Sequence, residues 1–434
     1  MSEATTGPGQ RDSRRVPVGK LLALTPVALL VGVVCALLLW GISAVANILE
    51  HFLWHTVTSW LGITDSTWWW ILLVLTIAGV LVGLVIRFAP GHAGDDPATQ
   101  ELVSTPIAVG ATPGLAIVAI LALAGGVSLG PESPIMVINA AIVVAVGVRL
   151  VPKVDQNQWM GLSTAATLGA LFGTPVAAAL MLSEANPGDQ RIPLWNRLYL
   201  PLVAAATGSF VILRFTDLTM SIDLPAEKVG SITDTLIAVG VAVVIAACGV
   251  VAAFVFDPLH RVLHRSLRDP VIRLTVVGAI LGGLGILGGT ITLFKGLDQM
   301  KELPDRIGTT TALGFFAFAG IKMCAMLLAS AGGFRGGRIF PSVFAGAAAG
   351  FGIHVLWPSL PLTITVAASI VGIVVAATRN GWISLFLGLA VVPQLDLLIP
   401  LLFATLPAWL VVANAPELRA KPVDGPSPDA AGST

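Results

Sequence analysis

The chain has 434 residues, of which 56 % are hydrophobic and 11 % charged, and 24 Lys and Arg balance 24 Asp and Glu. A charged fraction under half the roughly 25 % of soluble domains, with no net charge to attract a polyanion, excludes a soluble enzyme and a nucleic-acid binder. At about 20 apolar residues per crossing the composition allows up to roughly 12 spans, so the chain is read as an all-α polytopic protein of the cell membrane.

In chain order, residues 1–20 form a polar tail carrying Arg11, Arg14, Arg15 and Lys20. No small-residue cleavage site follows, so the tail reads as cytoplasmic rather than as a cleaved signal. Apolar segments follow at 21–49, 68–89, 105–127, 134–152, 161–183, 199–215, 235–256, 271–294, 310–331, 338–357, 361–377 and 382–414, the last divided at Pro400 or Pro407. Several are too short to cross cleanly, and many begin or end in Gly or Pro. Such broken backbone at membrane depth survives only inside protein or beside a water-filled cavity, which suggests a transport pathway. Trp54, Trp60, Trp68, Trp69 and Trp70 gather at one short loop, as an aromatic belt at the bilayer surface does. Arg261, Arg265, Arg268 and Arg273 place their loop on the cytoplasmic side. The tail at 415–434, rich in Pro, Ala, Gly and Asp, reads as disordered. Cys35, Cys248 and Cys324 all lie in apolar stretches and read as core packing rather than as a disulfide framework.

Two segments share the pattern GGxxxGxxxP at an offset of 207 positions: Gly125 to Pro134 and Gly332 to Pro341. Paired Gly/Pro-interrupted segments in two halves are the expected mark of a transporter binding site. Each copy suits a turn leading into a helix, because Gly permits a sharp turn and Pro is favoured in a helix's first turn. Such helix starts leave N–H groups unpaired, and two of them meeting near the midplane would hold a small anion. Gly125, Gly126, Gly332 and Gly333 serve equally well as close packing points between helices. Glu132, between two prolines in an apolar region, is the candidate gate: a carboxylate can fill an anion site when ionised and leave it when protonated. Its counterpart in the second copy is Ile339.

Gly130-Pro131-Glu132-Ser133-Pro134 resembles the GxExP signature of the CLC chloride channels and chloride/proton exchangers, and Gly337-Arg338-Ile339-Phe340-Pro341 resembles their GxFxP signature. Phe172-Gly173-Thr174-Pro175, the basic loop at 257–273, and Gly282-Gly283 with Gly288-Gly289 extend the likeness over about residues 20–414. Within the family the chain is most similar to a short bacterial branch of YfeO-type ion-transport proteins without cytoplasmic nucleotide-binding modules. The resemblance implies a homodimer, one pore per subunit, and two inverted halves of tilted and broken helices, here 21–217 and 218–414. It implies anion binding by Gly130, Pro131, Glu132, Ser133, Gly337, Arg338, Ile339 and Phe340, with transport as a channel or as a proton-coupled antiporter. No cofactor follows from it.

Some positions depart from the family. The segment Gly91-His92-Ala93-Gly94-Asp95-Asp96-Pro97 stands where the family has GSGxP, and Gly94 falls in the serine slot. Ile339 replaces the family's Phe, so exchanging it is expected to shift anion preference, and the only tyrosine, Tyr199, is far from the C-terminal helix. Proton-coupled members carry an inner glutamate where this chain has Ala185, and Glu184, the candidate inner proton relay, sits one place earlier. That ranks passive conduction ahead of strict exchange. Glu184 also reads simply as a polar helix end.

The six histidines, His51, His55, His92, His260, His264 and His354, match no HExxH or Cys/His spacing, so no metal site is expected. His51 and His55 read as interfacial. Asp95 and Asp96 read as a solvated loop pair, with cation binding as the alternative. Two other functions fit a membrane protein: a proton-coupled transporter of an organic solute, and an intramembrane serine protease using Ser163 with His354. A small residue at a helix contact accounts better for Ser163, and the chain is read as a non-enzyme.

Overall fold

The structure, a computed structural model, describes residues 17–100, 107–152, 154–185, 192–216 and 219–421. Arg11, Arg14, Arg15 and most of the tail at 415–434 lie outside the described residues. The helices are α1 (Val18–His51), α2 (Val57–Leu61), α3 (Trp68–Phe88), α4 (Thr112–Ala124), α5 (Glu132–Leu150), α6 (Gln156–Phe172), α7 (Pro175–Ala185) and α8 (Leu194–Phe215). They continue with α9 (Ile232–Ser266), α10 (Pro270–Gly288), α11 (Leu297–Met300), α12 (Ala312–Gly332), α13 (Ile339–Leu356), α14 (Leu362–Thr378), α15 (Gly381–Val391) and α16 (Leu398–Ala413). Among the described residues nine helical stretches are long and apolar enough to cross a membrane. By contrast α7 and α15 have 11 residues each and α4 has 13. At 1.5 Å per residue these reach about 16 to 20 Å, short of the roughly 30 Å hydrocarbon layer. The broken-helix expectation therefore holds.

Five expectations are corrected. The first span does not stop near residue 49: a π-turn at Phe52–Thr56 joins α1 to α2, so the helix runs on to Leu61. That wider turn rotates Trp54 inward. Its Nε1 donates to the Ala124 carbonyl at 3.0 Å, and Trp54 and Trp70 are buried while Trp60, Trp68 and Trp69 are exposed. The segment at 271–294 ends as helix at Gly288, where Gly289 turns left-handed. The last apolar segment breaks at 392–397, around Pro393, rather than at Pro400 or Pro407, which both lie within α16. Of the cysteines only Cys35 is core; Cys248 and Cys324 face outward on α9 and α12.

The chain forms two compact units. The first comprises Met1–Gly41 with Ile135–Thr219. Its core gathers Ala28, Val31 and Cys35 with Val143, Val144, Trp159, Leu162, Ala166 and Ala204. Helix α6 lies close against α8, and Ser209 Oγ donates to the Gly169 carbonyl at 2.8 Å. Ser163 is fully buried there, 3.8 Å from Cys35 Sγ.

The second unit comprises Ile42–Pro134 with Met220–Thr434. Small residues set its helix spacing: a Cβ at Gly79 would strike the Leu274 carbonyl, and one at Gly350 the backbone of Val366. Backbones can approach so closely in lipid only where side chains are this small. Helix α13 is buried from Ile339 to Ile353 and α14 from Leu362 to Ala376, so the pair forms the unit's interior.

Candidate functional site

The two GGxxxGxxxP segments have the same local structure. Helix α4 ends with Val127 N–H donating to the Ala122 carbonyl at 3.1 Å and Gly126 N–H to Leu123 at 3.3 Å. Helix α12 ends with Phe334 N–H donating to Ala329 at 3.1 Å and Gly333 N–H to Ser330 at 3.1 Å, the same bonds 207 positions later. This is the helix-ending arrangement that wants a left-handed residue, and Gly126 (φ 84°) and Gly333 (φ 96°) supply it. New helices then start at equivalent places, α5 at Glu132 and α13 at Ile339.

The two loops meet. Gly130 and Gly337 form an antiparallel bridge, with N–H to O distances of 2.9 and 2.7 Å. Reciprocal pairing of two equivalent residues requires a local two-fold relation between the loops, the geometry of an inverted repeat. A Cβ on either glycine would collide with the Glu132 carboxyl group, so the absence of side chains there is what admits it.

Glu132 is 1 % exposed, and its Oε1 accepts from Phe340 N–H at 2.9 Å. Its own backbone N–H and that of Ile339 also face the carboxyl group, and the guanidinium of Arg338 contributes opposite charge. Oε2 is buried without a hydrogen-bond partner among the described residues. An ionised carboxylate in such a place rests on main-chain N–H groups at the start of α13, where the helix dipole also favours negative charge. Pro131, Ile339 and Phe340 are buried around it, and Ser133 is half-buried. The side chain of Arg338 turns away, donating to the Leu418 carbonyl and lying 5.5 Å over the Phe256 ring. The residues expected from sequence to form an anion cradle are thus brought together, with Arg338 reaching Glu132 by charge rather than by a hydrogen bond.

Sequence reading missed the support behind this cradle. Lys322 on α12 is fully buried, and its Nζ donates to the carbonyls of Thr292, Leu293 and Phe294 at 3.0, 2.7 and 2.6 Å. Phe294 is held left-handed (φ 58°), an uncommon conformation for a side chain of its size. From there its N–H donates to the Gly126 carbonyl at 3.0 Å, while Ser128 Oγ donates to the Thr292 carbonyl at 3.0 Å. Trp54 packs edge-on against Phe294 and also faces Gly126. A lone lysine in an apolar helix, next to no acid in sequence, was the available signal.

A second polar cluster surrounds Asp96, which is not the freely solvated loop residue that one reading allowed. Its Oδ2 lies 3.0 Å from His260 Nε2 and 3.3 Å from His264 Nε2, and its Oδ1 lies 3.6 Å from Arg335 Nη1. Burial would raise the Asp96 carboxyl, but the hydrogen bonds of His260 and His264, the charge of Arg335 and the Ala98 N–H outweigh it and hold the group well below the ordinary carboxylate range. Gly94, in the serine slot, accepts from Arg335 Nη2 at 2.8 Å through its carbonyl. Asp95 accepts from Gln100 at 2.8 Å. The C-terminal stretch bonds beside this region, with Ala420 N–H donating to the Ala98 carbonyl at 2.8 Å.

Glu184 is exposed at the end of α7 in the first unit. His354 Nδ1 donates to the Leu360 carbonyl at 2.8 Å, and the rings of His51 and His55 lie 5.0 Å apart on an exposed face. Tyr199 OH lies 3.5 Å from Thr25 Oγ1.

The chain is similar to known proteins of one family. The family model described as voltage gated chloride channel matches residues 77–413. The YfeO ion-transport protein of Escherichia coli strain K12 is 44 % identical over 398 residues, covering 92 % of this chain and 95 % of its own. That of Escherichia fergusonii is 44 % identical over 396 residues, covering 91 % and 94 %. Among solved structures, a CLC-type fluoride/proton antiporter superposes with a TM-score of 0.74 at 19 % identity, over 94 % of this chain and all of that one. A slow cyanobacterial chloride/proton antiporter gives 0.74 at 16 % identity, over 89 % and 93 %. Both share the fold of broken helices described above.

Proposed function

We propose, from the premise that this chain belongs to the voltage-gated chloride channel family of anion-transport proteins, that it moves small inorganic anions such as chloride through the cradle between Gly130 and Phe340, with Glu132 as its gate. The observation that carries this reading is the hydrogen bond from Phe340 N–H to Glu132 Oε1. A carboxylate is itself an anion. A buried main-chain donor that accommodates one negatively charged oxygen can accommodate a halide in its stead.

Protonation supplies the exchange. Neutral Glu132 loses its attraction to the helix start and to the charge of Arg338, so the side chain leaves and an anion takes up the Phe340 N–H. Deprotonation returns the carboxylate and closes the path. The same step serves a gated channel and a proton-linked exchanger, and both fluoride/proton and chloride/proton antiporters share this fold. In this reading Ile339, Gly130, Pro131, Ser133 and Gly337 shape the cradle, and Glu184 is the inner relay if protons are exchanged. The halves 21–217 and 218–414 are repeats, the N-terminus is cytoplasmic, and the protein works as a homodimer in the cell membrane.

The test is simultaneous anion and proton flux from liposomes holding the purified protein. Movement of chloride, nitrate or fluoride supports the reading, and a reversal potential shifted by the pH gradient makes the protein an exchanger. Accumulation of an organic solute under a pH gradient, with no inorganic anion moved, contradicts it.

A further inference from the structure

Asp96, His260 and His264 are brought together across 164 sequence positions by the fold of the second unit. His260 and His264 are one turn apart on α9, which puts both rings on one face, and they stack with centroids 3.9 Å apart. Asp96 reaches them from the loop after α3, where Ala98 N–H binds its Oδ1 at 3.0 Å and Arg335 adds its charge to the same oxygen. Oδ2 is thereby left to the two imidazoles.

His264 Nδ1 lies 3.0 Å from the His260 carbonyl oxygen, which can only accept, so Nδ1 carries the hydrogen and a neutral His264 turns its Nε2 lone pair toward Asp96 Oδ2. Between two lone pairs 3.3 Å apart a cation must lie, either a second proton that makes His264 an imidazolium or a metal ion. All three ligand atoms lie within 4.8 Å of one another. In a tetrahedral site with bonds of about 2.1 Å, neighbouring ligand atoms sit about 3.4 Å apart, close to the 3.0 and 3.3 Å found here. The surroundings also resemble those of a built site. A ligating imidazole usually gives its other nitrogen to a carbonyl, as His264 does, whereas His260 Nδ1 is buried without a hydrogen-bond partner among the described residues; a ligating carboxylate is held by an outer partner on its free oxygen, as Asp96 is by Arg335.

We propose that Asp96 Oδ2, His260 Nε2 and His264 Nε2 bind a divalent transition-metal ion of the zinc type. The guanidinium groups of Arg335 and Arg273 near the carboxylate oppose a dication. They exclude ions that depend on charge alone, such as Mg²⁺ or Ca²⁺, and leave those with strong bonds to imidazole nitrogen, Zn²⁺, Co²⁺, Ni²⁺ and Cu²⁺. Access exists, because the side chains of His264 and Asp96 keep 17 % and 20 % of their surface exposed. Three protein ligands leave a fourth position for water or an anion.

The test uses the full-length protein in detergent, stripped with a chelator, in a His51→Ala, His55→Ala background that removes the other close histidine pair. Titration with Co²⁺ is expected to give one equivalent with the visible absorption of a four-coordinate ion, displaced by Zn²⁺ and untouched by excess Mg²⁺. His264→Ala is expected to weaken Co²⁺ binding by about tenfold or more. Cu²⁺ in the unmutated site is expected to show splitting from two nitrogens in electron paramagnetic resonance, a reading that does not depend on the His264 variant folding. No visible Co²⁺ band, displacement by Mg²⁺, Co²⁺ affinity unchanged by His264→Ala, or a Cu²⁺ spectrum without two-nitrogen splitting each overturns the site.

Discussion

Gly130 and Gly337, 207 positions apart in sequence, exchange both of their backbone hydrogen bonds, at 2.9 and 2.7 Å. That exchange fixes the two loops side by side, so Glu132 from one lies against the N–H of Phe340 from the other. Neither loop alone holds both groups: one brings the acid and the other the donor.

A methyl group on Gly337 falls on the Glu132 carboxyl group. Gly337→Ala is therefore expected to evict the side chain without changing its chemistry. Anion efflux from liposomes should lose most of its pH dependence, as though the gate were held open. A wild-type pH profile in this variant would mean that the carboxylate does not need its present seat.

Glu132→Gln removes the charge and keeps the shape. Above a carboxyl's pKa each pH unit lowers its protonated fraction about tenfold, so wild-type efflux should fall steeply as pH rises. The variant should be flat with pH and about as fast as wild type at its acid limit. Efflux that kept its full pH response would remove Glu132 from gating.

Lys322→Met strips three buried carbonyls of their shared donor. Each buried polar group left unmet costs about 1 to 3 kcal/mol, which implies a loss of about 3 kcal/mol or more even with Ser128 still bonded to Thr292. For a chain of this size that corresponds to a drop of about 3 °C or more in melting temperature, readable from thermal aggregation in detergent. An unchanged melting temperature would show that the lysine carries little of the support for Phe294.

The folding class, the broken helices and the pairing of the two loops were legible because they rest on local signals: apolar runs, a left-handed glycine at a helix end, and a repeat that places equivalent turns together. The inward turn of Trp54 was not, because aromatic residues near a span's end read as surface residues unless the π-turn that rotates one of them is known. The Asp96 cluster was hidden for a different reason. His260 and His264 have the one-turn spacing of a ligand pair, but their carboxylate partner comes from 164 positions away, and no spacing rule reaches that far. Lys322 showed in sequence only as a lysine alone in an apolar helix, since its partners are carbonyl oxygens, which every sequence has.

Asp96 makes the fold sensitive to acid. Its carboxyl is held below the ordinary value, so the ionised form stabilises the folded chain at every pH above about 4, and that contribution disappears as pH falls through the lower folded-state value. Asp96→Asn should therefore be less stable than wild type at pH 7, by about 2 kcal/mol, with the gap closing below about pH 4. Denaturation at several pH values reads this directly. A gap that widened toward acid pH would mean that the ion pairs around Asp96 do not favour the fold.

The central claim is that the N–H of Phe340 holds whichever anion is present, the carboxylate of Glu132 or a transported ion. Crystals of Glu132→Ala grown in bromide, examined by anomalous scattering, test it most directly. A bromide is expected within hydrogen-bond distance of Phe340 N, between Gly130 and Gly337. A map with bromide elsewhere in the protein and none at that amide would contradict it.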